Sequence, residues 1–322
     1  MLKPLAKTLL HSGGALHGFR FRNRKAVRIL MYHRFSTETN GLSEQCEYIL
    51  RYYQPVSLTT ISTYIAEQKP LPDNTLVITV DDGYRDFFLH AYPVLRDYGI
   101  PATVFLVSDF VDQKLWLWWN QVEYLFQQTL EKTIAITWPT GPEERFSLAI
   151  YQEKLNATQK IINGLIYLET EQRLALIAKI TELLQVDLPA LPPPKWAAVT
   201  WHEVKEMASQ GIEFGAHTRT HPILSRLPDR RSIKGEVEGS KLRIEEELHQ
   251  PVLHFCYPNG SLKDFTEDAV DIVKELGFHT AVTTERGMNL PEADPFLLRR
   301  IGVEPNGATP YFRELLAGVR FE

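Results

Sequence analysis

The sequence predicts an α/β fold whose strands suit a closed or nearly closed barrel. Three observations predict it: seven short apolar runs rich in β-branched residues, helix-patterned segments between them, and glycine as the helix stop at three helix-to-strand junctions.

In chain order, the first predicted strand is Val27–Tyr32, which follows a basic leader. Leu76–Val80 is continuously apolar and ends in two aspartates. Tyr84–Tyr98 carries helical periodicity and stops at Gly99, after which Pro101 restarts an extended chain at Ala102–Val107. Residues 112–195 break the rhythm. Trp116–Leu130 and Tyr151–Leu184 are helix-patterned, and Leu191-Pro-Pro-Pro closes the region as a rigid linker, so it is read as a helical insertion. Beyond it, helix Trp201–Gln210 stops at Gly211 before strand Ile212–Gly215, and helix Ser232–His249 precedes strand Val252–Tyr257. Helix Thr266–Leu276 stops at Gly277 before strand Thr280–Thr283, and Leu298–Val303 is the last strand. The expected organisation is a basic N-terminal extension over residues 1–26, a barrel over 27–322, and the insertion over 112–195 within it.

Composition sets broad limits. With 44% hydrophobic and 23% charged residues among 322, the chain has ordinary globular content. No apolar run approaches the roughly 20 residues that cross a bilayer. Cys46 and Cys256 are too few for a disulfide framework. Net charge is -5, yet residues 1–28 hold seven Lys or Arg and no acid, so -5 minus +7 leaves -12 on the remainder. Such a leader is either a peripheral contact for an anionic membrane face or a solvated tail. It lacks the continuous apolar core of a conventional signal peptide, which points to the cytoplasm or to the membrane's edge. An acidic remainder without an aromatic-basic motif argues against nucleic acid as a partner; oligomeric state is left open.

Two motifs carry chemistry. Asp81 and Asp82 stand where an apolar strand ends and the chain must turn at Gly83, the place where α/β folds put their sites. Taken alone, Asp-Asp-Gly reads first as a turn capping the next helix. His217 and His221 follow the strand Ile212–Gly215 at a spacing that lets both imidazoles face one point. One carboxylate plus two histidines leaves positions open for water, which is the arrangement of a hydrolytic rather than a structural metal site.

These residues make the sequence similar to the polysaccharide deacetylases, the NodB-homology enzymes also called carbohydrate esterase family 4. The family's Thr-Phe-Asp-Asp-Gly corresponds to Thr79–Gly83, and its His-Ser/Thr-x-x-His corresponds to His217–His221. Leu30-Met31-Tyr32-His33, the strand from Pro101 to Phe105, and Phe255–Gly260 support the likeness. The resemblance implies a distorted (β/α)7-type barrel and hydrolysis of the N-acetyl group of an amino sugar in a polysaccharide, oligosaccharide or lipid-linked glycan. It implies that Asp82, His217 and His221 bind a divalent metal, Zn2+ foremost with Co2+, Ni2+ or Mn2+ as alternatives, while Asp81 is the catalytic base. Tyr257 and Asn259, with the N–H groups around them, are the candidate oxyanion and substrate contacts.

Two departures from the family pattern need replacements. The usual arginine of the third motif is absent, since Cys256-Tyr257-Pro258-Asn259 stands in its place; Arg300 is the candidate substitute, with Arg299 as its alternative. The late Leu-x-His is also missing, because no histidine follows His279, and His33 is the candidate general acid. Trp116, Trp118 and Trp119 are read either as sugar-stacking rings or as core of the insertion. Two other readings stay open at this stage: a deformylase or amidase acting on a non-polymeric amide, and a catalytically inactive glycan-binding module.

Overall fold

A computed structural model describes residues 14–139 and 141–319. The N-terminal part of the basic leader, with Lys3 and Lys7, lies outside the described residues. Within them, Arg24 and Lys25 of the leader both pair with Asp73.

Seven parallel strands close the expected (β/α)7-type distorted barrel. They are β1 (Arg28–Tyr32), β3 (Thr75–Val80), β4 (Thr103–Leu106), β7 (Glu213–Ala216), β8 (His254–Cys256), β9 (Thr280–Arg286) and β10 (Leu298–Gly302). β1 pairs with β3 on one side and β10 on the other, which closes the ring. The two-residue β2 (Gln54–Pro55) joins the start of β3. All seven predicted strands are therefore present.

Strand alternation divides the core into layers. Leu30, Tyr32, Ile78, Val80, Val104 and Leu106 belong to the large cluster packed against the helices. Ile29, Val77, Phe105, Cys256, Val282 and Leu298 form a smaller cluster on the opposite face of the same strands, inside the barrel. Below that apolar plug, His254 hydrogen-bonds Thr59 (2.9 Å) and Thr280 (2.8 Å), and Glu213 accepts from Thr103 (2.9 Å). Above it, at the C-terminal ends of the strands, stand Asp81, His217 and Arg300.

Gly215 lets the plug close. A Cβ there would lie 2.5 Å from the Phe105 ring and 2.8 Å from the His254 carbonyl oxygen. Gly215→Ala is expected to lower stability by about 1–3 kcal/mol, read as a lower urea midpoint. An unchanged midpoint would mean that Phe105 can step aside.

Helices predicted from the sequence are observed at Trp201–Ser209, Arg230–Leu248 and Glu267–Glu275. The segment predicted as one helix after Gly83 contains a π-turn at Phe87–Ala91 before continuing as Tyr92–Asp97. Among the described residues five α-helices were not foreseen: Gly14–Arg22, Asn40–Tyr52, Leu58–Ala66, the short Ser108–Val111 and Pro310–Ala317.

Residues 115–197 form a separate compact unit. It contains helices Trp118–Gln128, Tyr151–Ile166 and Thr170–Leu184, together with an antiparallel hairpin of β5 (Thr133–Thr137) and β6 (Glu143–Ser147) that the sequence reading did not contain. Its own core includes Val122, Phe126, Ile136, Ile161 and Ile180. Trp118 packs against that core, and Trp116 is buried beside Tyr124 and Trp196.

Candidate metal and acid–base site

Asp81 and Asp82 lie just beyond β3, His217 just beyond β7, His33 just beyond β1, and Arg300 within β10. The turn after β3 is pinned by backbone bonds: Asp81 N–H donates to the Tyr32 carbonyl (3.0 Å), and Val107 N–H donates to that of Asp82 (3.3 Å). Asp82 adopts φ 73° and Gly83 φ 85°. A Cβ at Gly83 would stand 2.7 Å from Leu106 Cδ2, so the turn demands glycine on both counts. Of the nine non-glycine residues at positive φ among the described residues, Asp82, Thr218, His221 and Asn259 belong to the candidate site's motifs. Strain of this kind concentrates at functional sites.

The structure brings Asp82, His217 and His221 together. Asp82 Oδ1 lies 3.6 Å from Nε2 of each histidine, and all three side chains are buried or nearly so. Among the described residues no donor reaches the Asp82 carboxylate at hydrogen-bonding distance. Zn–ligand bonds of about 2.0–2.2 Å in a tetrahedron place neighbouring ligand atoms roughly 3.3–3.6 Å apart. The donor set and its spacing therefore fit a divalent cation. His217 Nδ1 donates to the Cys256 carbonyl (2.7 Å), which fixes the tautomer and leaves Nε2 with its lone pair facing Asp82. Burial pushes both imidazoles below their ordinary pKa, so both are neutral donors near neutral pH. Burial likewise raises the Asp82 carboxyl, whose charge needs a cation in contact to offset its desolvation.

Asp81 is held differently. Arg300 grips it with two hydrogen bonds of 2.7 Å, one to each carboxylate oxygen. Arg300 also donates to the Thr283 carbonyl (2.7 Å) and approaches Thr79 Oγ1 and Cys256 Sγ, both at 3.2 Å. Burial alone would raise the Asp81 pKa, but the charge and hydrogen bonds of Arg300 reverse it and hold the carboxyl well below the usual range. His33 Nε2 stands 3.7 Å from Asp81 Oδ2, on a side chain 46% exposed at the barrel mouth. Arg299 is exposed and points away from this pair.

The Tyr257 N–H, an expected oxyanion donor, is already engaged in this structure. It is bonded to the Val282 carbonyl (3.2 Å), the Tyr257 hydroxyl to that of Phe296 (3.2 Å), and the ring stacks on Phe265. The ladder simply continues past the end of β8. Gly260 N–H bonds the Pro258 carbonyl (2.6 Å), and proline has no N–H, so Asn259 carries the one N–H of this loop that makes no hydrogen bond among the described residues.

Sequence reasoning missed the supporting groups. Cys256 packs in the interior cluster, and its carbonyl also orients His217. Burial pushes its thiol well upward, which favours the neutral form. Thr218 Oγ1 accepts the His221 N–H (3.1 Å), tying the two histidines together. Its signal was its place inside the His-Thr-x-x-His motif. Thr218→Val keeps the shape and removes that tie; metal affinity is expected to fall about 10–100-fold in a chelator-competition titration. Unaltered affinity would reduce Thr218 to a packing role.

Parallel strands closed around strand-end carboxylates and imidazoles define a NodB-type barrel. The polysaccharide deacetylase family profile matches residues 68–281, more than half of the chain, and the chain belongs to that family. YxkH of Bacillus subtilis (strain 168) is 22% identical over 285 residues, spanning 86% of this chain and 71% of that protein. The poly-beta-1,6-N-acetyl-D-glucosamine N-deacetylase of Escherichia coli (strain K12) is 29% identical over 119 residues, only 32% of this chain and 18% of that protein. The Streptococcus pyogenes deacetylase PplD, solved with acetate, superposes with a TM-score of 0.58 at 18% identity, covering 89% of this chain and 96% of that one. IcaB from Ammonifex degensii gives 0.57 at 19%, covering 91% and 96%. At these identities the solved structures share the fold. The family match includes Asp81, Asp82, His217 and His221 but not His33 or Arg300.

Proposed function

We propose that this chain is a metal-dependent hydrolase that removes the N-acetyl group of an amino sugar within a polysaccharide, oligosaccharide or lipid-linked glycan and releases acetate. The observation that carries this reading is the pairing of two differently tuned carboxylates. Asp82 faces two neutral imidazoles as a ligand, while Asp81, 2.7 Å from Arg300, is kept ionised and off the metal set.

Asp82, His217 and His221 would hold the cation, with zinc the best match to one carboxylate and two imidazoles and cobalt, nickel or manganese able to use the same donors. When bound, it would supply Lewis-acid polarisation of the amide carbonyl and acidify water. Asp81 accepts the proton of the attacking water, and Arg300 fixes the carboxylate's orientation through both oxygens. The N–H of Asn259 is the candidate donor to the oxyanion that develops as water adds to the carbonyl carbon. His33, half exposed beside Asp81, gives a proton to the amine as the C–N bond breaks.

The test is acetate release from N-acetylhexosamine oligomers and lipid-linked sugars, before and after removal of metal by chelation. Release should stop on chelation, return with Zn2+ or Co2+, and be absent in His217→Ala. Release that survives both chelation and His217→Ala would overturn the metal-dependent reading.

A further inference from the structure

A groove of about 360 Å³ opens beside the site, between the ends of β1 and β10 and the helix Pro310–Ala317. Its floor is apolar, from Met31, Val303 and Leu315, and its rim is polar, from His33, Glu304 and Thr309. The volume falls within the range of small-ligand sites, and an apolar floor with a few convergent polar groups is their usual lining. Tyr311 borders the groove with 48% of its surface exposed. Such a ring offers a flat face to the C–H face of a pyranose.

Two facts tie the groove to the chemistry. His33 lines it and also stands 3.7 Å from Asp81, so a substrate reacting at Asp81 has the groove as its immediate neighbour. The wall is also pre-set. Buried Gln45 donates to the carbonyls of Glu304 (2.7 Å) and Gly307 (3.0 Å), and its own carbonyl accepts from Tyr32 (2.8 Å). Thr309 caps the following helix through the Phe312 N–H (3.2 Å). A wall fixed before binding loses little entropy when a ligand arrives.

We infer that this groove receives the sugar ring adjacent to the one being deacetylated, with Tyr311 as its stacking surface and Glu304 as an acceptor for its hydroxyls, so that an oligomer is selected over a single sugar. The inference rests on the deacetylase reading of the site. The groove lies outside residues 68–281, the span of the family match, so that match does not itself assign its lining.

The experiment compares kcat/KM for N-acetylglucosamine and its β-linked tetramer in wild type, Tyr311→Ala and Gly302→Leu. The second variant narrows the groove from its floor, where a Cβ meets the mobile end of Met31 at 3.3 Å. Wild type should favour the tetramer, and each substitution should reduce the tetramer-to-monomer ratio about tenfold, the size of one well-placed ring contact. In parallel, calorimetry measures tetramer affinity in Asp81→Asn with and without Tyr311→Ala. Equal loss on both substrates, or no loss in either variant, overturns the groove. Tyr311-dependent tetramer binding without any acetate release would support the groove and defeat the deacetylase reading.

Discussion

Asp81→Asn is expected to reduce acetate release by about 10²–10⁴-fold, the span associated with loss of a positioned base, with metal affinity retained. The amide has the carboxylate's shape but cannot take a proton from water at neutral pH. Asp82, His217 and His221 do not rely on Asp81 for their geometry, since His217 is oriented by the Cys256 carbonyl and His221 by Thr218. The fall should therefore appear in kcat with little change in KM. Metal content measured on the purified variant separates the base from a ligand. Turnover within a few-fold of wild type would remove Asp81 from the chemistry; loss of metal along with turnover would place it among the ligands.

How much of this was legible before the structure depends on sequence distance. Asp81, Asp82, His217 and His221 were readable because each pair sits in a short motif at a strand end. The partner of Asp81 is 219 residues away, and spacing alone cannot choose it. Strand parity decides between Arg299 and Arg300: β10 buries Leu298 and Arg300 and exposes Arg299, so only Arg300 enters the barrel. The helix Leu58–Ala66 was missed because Thr59, Thr60, Ile61, Thr63 and Ile65 locally favour a strand. Ser57 caps it by accepting from the Thr60 N–H (3.1 Å), and burial of Leu58 and Ile61 against the interior cluster overrides propensity. Asn40–Tyr52 opens on Asn-Gly, which reads as a turn, although its buried Leu42, Gln45, Cys46 and Ile49 lie on one helical face. The pairing of the Tyr257 N–H was not legible for a related reason. A motif names residues, but which N–H remains unpaired depends on how far a neighbouring strand continues.

Arg300→Met is expected to have the largest effect on stability. Arg300 is the largest of the charged groups inside the barrel and fully buried, and removing it strands a buried carboxylate. Breaking one partner of such a pair typically costs about 3–5 kcal/mol, because the remaining charge is left without compensation. Asp81 then has burial pushing its pKa upward and no guanidinium opposing it. In wild type its folded pKa lies below that of the unfolded chain, so the pair's contribution is complete above about pH 4 and fades as pH falls toward the folded value. In the variant the shift changes sign. The carboxylate becomes protonated at higher pH, and the acid limb of the rate profile should move upward, leaving residual activity only under more alkaline conditions. Urea unfolding of Arg300→Met, Asp81→Asn and the double variant closes the cycle. The double variant should recover part of the stability lost in Arg300→Met, since a neutral amide no longer needs a buried cation. If it is no more stable than Arg300→Met, the guanidinium acts through its bond to Thr283 and its packing rather than through the Asp81 charge. An acid limb that stays in place would likewise deny Arg300 its part in keeping the base ionised.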